Sequence, residues 1–168
     1  MDVAALLADL FGRIPPIARD VVHGLEMEEL LEPPAVGANP IGWLLWHIGR
    51  VQDAQIPPAA FDEQLWVMDG WAERFGLPAE PTDVGYGHSQ AQVAAVRPES
   101  SGLLLGYLDA VHQRTMVYVA ALSPGELDRV IDERWDPPVT LGVRLNSVVA
   151  DCLQHVGQAS YLRGLLDR

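Results

Sequence analysis

The chain has 168 residues, enough for one domain with a real core, and 49% of them are apolar, which excludes a disordered polypeptide. Twenty-three acidic residues face 11 basic ones, all arginine, and the net charge of −12 is repelled by phosphate backbones and anionic lipid, arguing against nucleic-acid and membrane partners. Cys152 is the single cysteine, which rules out an internal disulfide and any multi-cysteine metal cluster.

The opening stretch, MDVAALLADLFGRIPP, lacks the basic start and small-residue cleavage site of a secretory signal. No apolar run reaches the ~18 residues that span a bilayer. The expectation is one cytoplasmic domain over residues 1–168.

Leu6, Leu7, Leu10, Ile14, Ile17, Val21 and Val22 recur at helical spacing, predicting a helix from about Val3 to Leu25 that Pro15 and Pro16 kink or interrupt. A short helical turn follows and ends at Pro33-Pro34. The second long helix is expected to start with Asn39 as N-cap and Pro40 at its first position, and to stop at Pro57-Pro58. Its stretch from Ile41 to Ile48 is apolar nearly all round, which marks a deeply buried segment. Residues 62–76 read as a shorter amphipathic helix carrying Leu65, Trp66, Met68, Trp71 and Phe75. A loop over 77–88 follows, and Ser89 can cap a short helix to Val96.

The third long helix runs from about Glu99 to Leu122. Ser123 and Glu126 fit a capping box at a new turn. Residues 130–140, VIDERWDPPVT, are too broken by proline for a helix and read as an extended, hairpin-like excursion. The last long helix runs from about Leu141 to Leu166. Four long helices with elaborated connections make an all-α four-helix bundle with short additional helices the expected architecture.

Into the apolar seam of the last helix the sequence inserts Asp151, His155 and Gln158. Asp151 and His155 stand at i, i+4, on one face and about 6 Å apart at Cβ. A carboxylate facing a bundle core is unfavourable unless paired or bound to a cation. His47, between Leu44 and Val51, lies in a segment too apolar to be a solvated face. Two inward histidines and one inward carboxylate make a ligand set for a first-row divalent metal, with open positions left for chemistry. The competing reading is a buried polar network in which Asp151 and His155 bond each other or the backbone.

The stretch from Asn39 to Asp53, NPIGWLLWHIGRVQD, resembles helix two of the DinB/YfiT-like proteins. Gln154, His155, Val156, Gly157 and Gln158, with the apolar tail that follows, resemble their final helix, and the similarity extends over essentially the whole chain. The resemblance implies a four-helix bundle, often a homodimer, with a metal at one end. It maps the metal ligands onto His47, Asp151 and His155. Many members carry histidine where Asp151 stands. A carboxylate there resembles the mycothiol-dependent maleylpyruvate isomerase branch, which has the longer glutamate.

Characterised relatives include mycothiol- and bacillithiol-dependent transferases and isomerases. The resemblance therefore implies a metal-dependent enzyme in which a divalent metal (zinc first; nickel, manganese or iron otherwise) activates a small-molecule thiol such as mycothiol against an electrophilic substrate. Gln158 is a candidate pocket residue, and His88, in a Gly-rich loop, a candidate acid/base group whose simpler reading is an exposed loop histidine. Arg50 and Arg144 are candidates to hold a carboxylate of thiol or substrate, or else salt-bridge partners of nearby acids. Cys152 reads as a buried, inert thiol. Two other readings stand: a non-catalytic, stress-related binding or dimeric scaffold domain, and a metal-dependent hydrolase. A dry, closed pocket would favour the scaffold, and an open, basic-rimmed pocket beside the metal would favour thiol transfer.

Overall fold

The computed structural model describes residues 1–60 and 62–166. The first predicted helix is two: α1 (Val3–Gly12) and α2 (Ile14–Val22), which meet at Arg13 just before Pro15 and Pro16. Asp2 caps α1 by accepting from the Ala5 N–H. The single turn α3 (Met27–Leu31) leads to α4 (Ile41–Ala59).

Two details of α4 differ from expectation. Asn39 does not cap it; Pro40 precedes the first helical residue, and its carbonyl accepts the first helical bond from Leu44. Nor do Pro57 and Pro58 stop it, because they fall in its last turn, where few hydrogen bonds remain to be lost before Ala60 closes the helix. The amphipathic helix expected over 62–76 is broken into the single turns α5 (Leu65–Met68) and α6 (Trp71–Arg74). Between them Gly70 adopts φ +67°, a left-handed conformation that interrupts any continuous helix.

The short helix α7 (Gln90–Ala95) starts at a full capping box between Ser89 and Gln92. It is followed by α8 (Ser101–Ala120) and a 3-10 turn at Pro124–Asp128, which Ser123 and Glu126 cap as expected. The proline-rich excursion is an antiparallel pair, β1 (Val130–Asp132) and β2 (Val139–Thr140), that runs directly into α9 (Leu141–Leu166). Asp132, buried under this hairpin, accepts hydrogen bonds from Arg134 and Arg144 and so pins it to α9.

The bundle consists of the kinked pair α1/α2 with α4, α8 and α9. The central helix α4 packs most extensively on α9 and α8, while α2 lies against α9 and α1 against α8. This is the all-α architecture expected, and no helix among the described residues is long and apolar enough to cross a membrane. Buried side chains from all four rods form one cluster, with Trp46, Ile48, Leu104, Leu108, Leu145 and Val148 near its centre. Close approach of α8 to α4 depends on Gly49: a Cβ there would lie 2.8 Å from the Tyr107 ring. The pairing of α4 with α9 brings the two histidine-bearing segments of the sequence together.

Candidate metal centre

His47 leaves α4 and meets Asp151 and His155 of α9 at one side of the bundle. Asp151 Oδ2 lies 3.5 Å from His47 Nε2, and Asp151 Oδ1 lies 3.6 Å from His155 Nε2. The two imidazole rings are perpendicular, with centroids 4.6 Å apart. One ligand atom from each of the three residues falls within 4.8 Å of the others, so the group could hold a metal ion.

The rest of each ring's hydrogen bonding decides which atoms face the centre. His47 Nδ1 makes a short hydrogen bond to the Val84 carbonyl. His155 Nδ1 lies 2.9 Å from Gln158 Oε1, one turn further along α9. A carbonyl oxygen can only accept, so both Nδ1 atoms donate and both Nε2 atoms of the neutral rings carry lone pairs. Two lone pairs then point at a carboxylate, at separations longer than a hydrogen bond. Asp151 Oδ2 is buried and has no hydrogen-bond partner. Three electron-rich groups that converge without a donor among them could hold a cation. Donors around a tetrahedral cation with bonds of ~2.1 Å stand roughly 3.4 Å apart, close to the spacing of the two Asp151 pairs.

A proton can supply the same positive charge. The neighbouring Asp151 carboxylate raises the basicity of His155 above the ordinary histidine value of 6.5, against the opposing effect of burial and with help from Gln158. Burial tends to raise the Asp151 carboxyl in turn, but the two histidines beside it outweigh that and hold the acid well below the usual carboxylate range. The polar-network reading and the cation reading thus describe one cluster that either a proton or a metal ion could satisfy.

The loop over 80–88 builds the far wall. Gly85 carries φ +91°, and a Cβ on it would come within 2.6 Å of the Trp43 ring. That approach lets the loop lie flat on Trp43, which is stacked parallel on His47 with centroids 4.8 Å apart. His88 is no exposed loop histidine: its side chain is 7% exposed and stacks on Trp46. Its Nδ1 accepts from Trp43 Nε1 at 3.2 Å, and its Nε2 lies 2.8 Å from Asp83 Oδ1. Both ring nitrogens are engaged, so His88 serves as a wall that orients Trp43 and has no nitrogen left for acid/base work.

Arg50 differs most from expectation. It is 0% exposed and lies away from the mouth of the site. Its guanidinium donates to the Asp83 carbonyl (3.0 Å), the Pro81 carbonyl (3.1 Å), Gln64 Oε1 (3.0 Å) and the Tyr107 hydroxyl (3.2 Å). It also contacts the buried Asp53 carboxylate and stacks over Trp66. Asp53 in turn accepts from the Leu65 and Trp66 N–H groups that open α5. Arg50 is a clamp on the loop rather than a ligand for substrate. Arg144 is likewise spent, on Gln55 and Asp132. Cys152 is fully buried, its thiol pushed far above the ordinary range by burial, first of all, and by the Asp151 charge.

The three candidate ligands line an open cavity of about 670 Å3 together with Asn39, Trp43, Val51, Gln55, Tyr86 and His88. No arginine lines it, so the pocket is open but lacks the expected basic rim. Gln158 is exposed, lines a neighbouring groove, and touches the centre only through His155. Residue patterns missed the carbonyl of Val84, because a backbone acceptor leaves no mark on composition. The Gly85 and Gly87 pair in the loop was the one available sign that a chain segment approaches closely there.

Comparison with known proteins agrees with this architecture. A family model for the DinB superfamily matches residues 11–159. A crystal structure described as a conserved protein from Enterococcus faecalis superposes with a TM-score of 0.90 at 33% sequence identity, covering 97% of this chain and 96% of that one. No curated protein matches the chain. With the matched model spanning most of its length and the superposition nearly complete, the chain belongs to the DinB superfamily.

Proposed function

We propose that the protein is a divalent-metal-dependent enzyme that transfers a small-molecule thiol to, or isomerises through it, a small electrophilic substrate. The observation that carries the reading is the convergence of two Nε2 lone pairs on the Asp151 carboxylate, one oxygen of which is buried and unpartnered, in the lining of an open cavity. A closed, dry pocket would have favoured a scaffold, and this one is open.

His47, Asp151 and His155 hold the cation, zinc being the first candidate. A cation bound there supplies the positive charge that makes a thiol acidic near neutral pH and leaves positions open for it. Val84 and Gln158 keep the two rings turned with Nε2 inward. Asp151 offsets part of the cation's charge, and with its low pKa it stays ionised and is a poor proton acceptor. The open cavity lets the thiol proton leave to water. Trp43, nearly fully buried and backed by His88, braces the His47 ring and leaves only an edge to the cavity. Asn39 and Gln55 add neutral hydrogen-bonding groups. A wall without arginine suits an uncharged, hydroxyl-rich thiol such as mycothiol better than a polyanionic one.

The test is elemental analysis of untagged protein, repeated on His47→Ala and His155→Ala. Near-stoichiometric metal that both substitutions abolish, with circular dichroism unchanged, is the expected result. Thiol consumption with model electrophiles should then require the metal. A folded wild type that takes up no zinc, nickel or manganese would refute the reading. Turnover that proceeds without any thiol would point instead to hydrolysis, with water as the nucleophile.

A further inference from the structure

A second cavity, of about 560 Å3, adjoins the metal cavity and shares Gly37, Asn39 and His88 with it. It is a trough between the 31–40 segment and α7. Leu31, Val36, Val93 and Val96 give it an apolar side, and polar residues including Glu32, Asn39, Gln90 and Arg97 also line it.

Four polar side chains of its lining, Glu32, Asn39, Gln90 and Arg97, have no partner among the described residues, and two of them can bind a carboxylated chain. Among the described residues, Arg97 is the arginine with no hydrogen bond, ion pair or ring contact, whereas the others are engaged by Asp9, Asp109, Asp62, Asp132, ring faces or backbone oxygens. In a chain with twice as many acids as bases, an arginine left without a carboxylate stands out. Asn39 is the second. It makes no capping bond to α4, and its side chain has no partner among the described residues. It stands where the trough, the metal cavity and the groove beside Gln158 meet.

We propose that this trough is a subsite for the tail of the electrophilic substrate, a flexible apolar chain ending in one carboxylate. Arg97 pairs that carboxylate through its planar fork. Asn39 hydrogen-bonds the polar atoms of the substrate as it passes into the metal cavity. The reactive end then lies by Trp43 and His47, and Glu32 in the same trough disfavours a second negative charge. The assignment rests on the proposed function for what happens at the reactive end; binding of the tail does not depend on it.

The test uses sodium hexanoate as probe, with hexanamide and hexylamine as controls, titrated into the intact protein and followed by 1H–15N NMR. Saturable shifts centred on Val93, Val96 and Arg97 are expected for hexanoate alone. Arg97→Gln should weaken binding by about tenfold or more, the scale of one lost charge-assisted pair, with Arg97→Lys in between. Metal-free and zinc-treated wild type should bind hexanoate alike, so a failure of the metal reading and a failure of this one are told apart. With manganese bound, the methyl end of hexanoate should relax faster than the methylene beside the carboxylate. Equal binding of hexanamide or hexylamine, indifference to Arg97→Gln, absence of saturable shifts, or a reversed relaxation gradient with the carboxylate on the cation would each overturn the proposal.

Discussion

At the residue scale the histidine–aspartate cluster could be filled by a proton or by a metal ion. The two fillings have opposite pH dependences. His155 has a raised pKa in the fold, so in metal-free protein its contribution to stability is complete below the ordinary value of 6.5 and is lost as pH rises through the raised value. Asp151 has a lowered pKa, so its contribution is present above the ordinary 3.8 and is lost as pH falls towards the lowered value. Denaturant midpoints of the metal-free protein should therefore fall on alkalinisation past neutrality, where a metal-loaded sample should hold. Zinc affinity should rise with pH over the same range, because zinc must displace the His155 proton. Affinity that is flat with pH would mean that His155 is no ligand.

Gln158 offers a finer test at the same scale. It contacts the centre only by accepting from His155 Nδ1. Gln158→Ala should weaken metal binding by roughly tenfold, the usual effect of removing the group that orients a ligating histidine, with little change in stability. A calorimetric zinc titration measures the difference.

At the element scale, the 80–88 loop is held at both ends by side chains of α4. Arg50 grips the Asp83 and Pro81 carbonyls, and Trp43 and His88 fix the far end; Val84 between them aims its carbonyl at His47. Arg50→Met should destabilise the protein by about 3–5 kcal/mol, because the buried Asp53 carboxylate loses its cation. Arg50→Lys keeps the charge but not the fork. It should recover part of the stability while metal affinity stays depressed by about 10- to 100-fold, since the loop that orients His47 is loosened. Chemical denaturation and zinc titration on the same samples separate the two effects. If Arg50→Lys restores both equally, the loop does not govern His47. Gly85→Ala attacks the same loop from the other face: its methyl group would strike Trp43, so both the stacking on His47 and metal binding should suffer. Tryptophan fluorescence and the zinc titration report the two losses.

At the scale of the whole molecule, a metal held between α4 and α9 would bind only the folded chain and so stabilise all of it. A hundredfold excess of free zinc over Kd should add about 2.7 kcal/mol to unfolding. Wild-type Tm should rise with zinc, and that of His47→Ala should not. Cys152 gives a readout of the bundle as a unit, since its thiol is fully enclosed between α9 and the Ile48 carbonyl of α4. It should resist thiol reagents until global unfolding, and its labelling rate should follow the denaturation curve.

Much of this molecule was legible in residue order alone, because helices are set by near neighbours. The capping boxes at Ser89 and Ser123, the kink at Pro15-Pro16, the proline-broken hairpin and the full extent of the last helix all follow from local periodicity and backbone chemistry. The buried face of α4 also told that His47 is internal, and the i, i+4 spacing told that Asp151 and His155 share a face. Only the packed bundle decided what these residues meet. Partners 104 positions apart become neighbours through helix packing. The orienting acceptor of His47 is a backbone carbonyl, which any residue type could supply. Arg50 shows the difference most sharply: sequence reveals a charge, but whether that charge faces ligand or clamps a loop depends on which acceptors the tertiary fold gathers around it, and here it gathers six and excludes water.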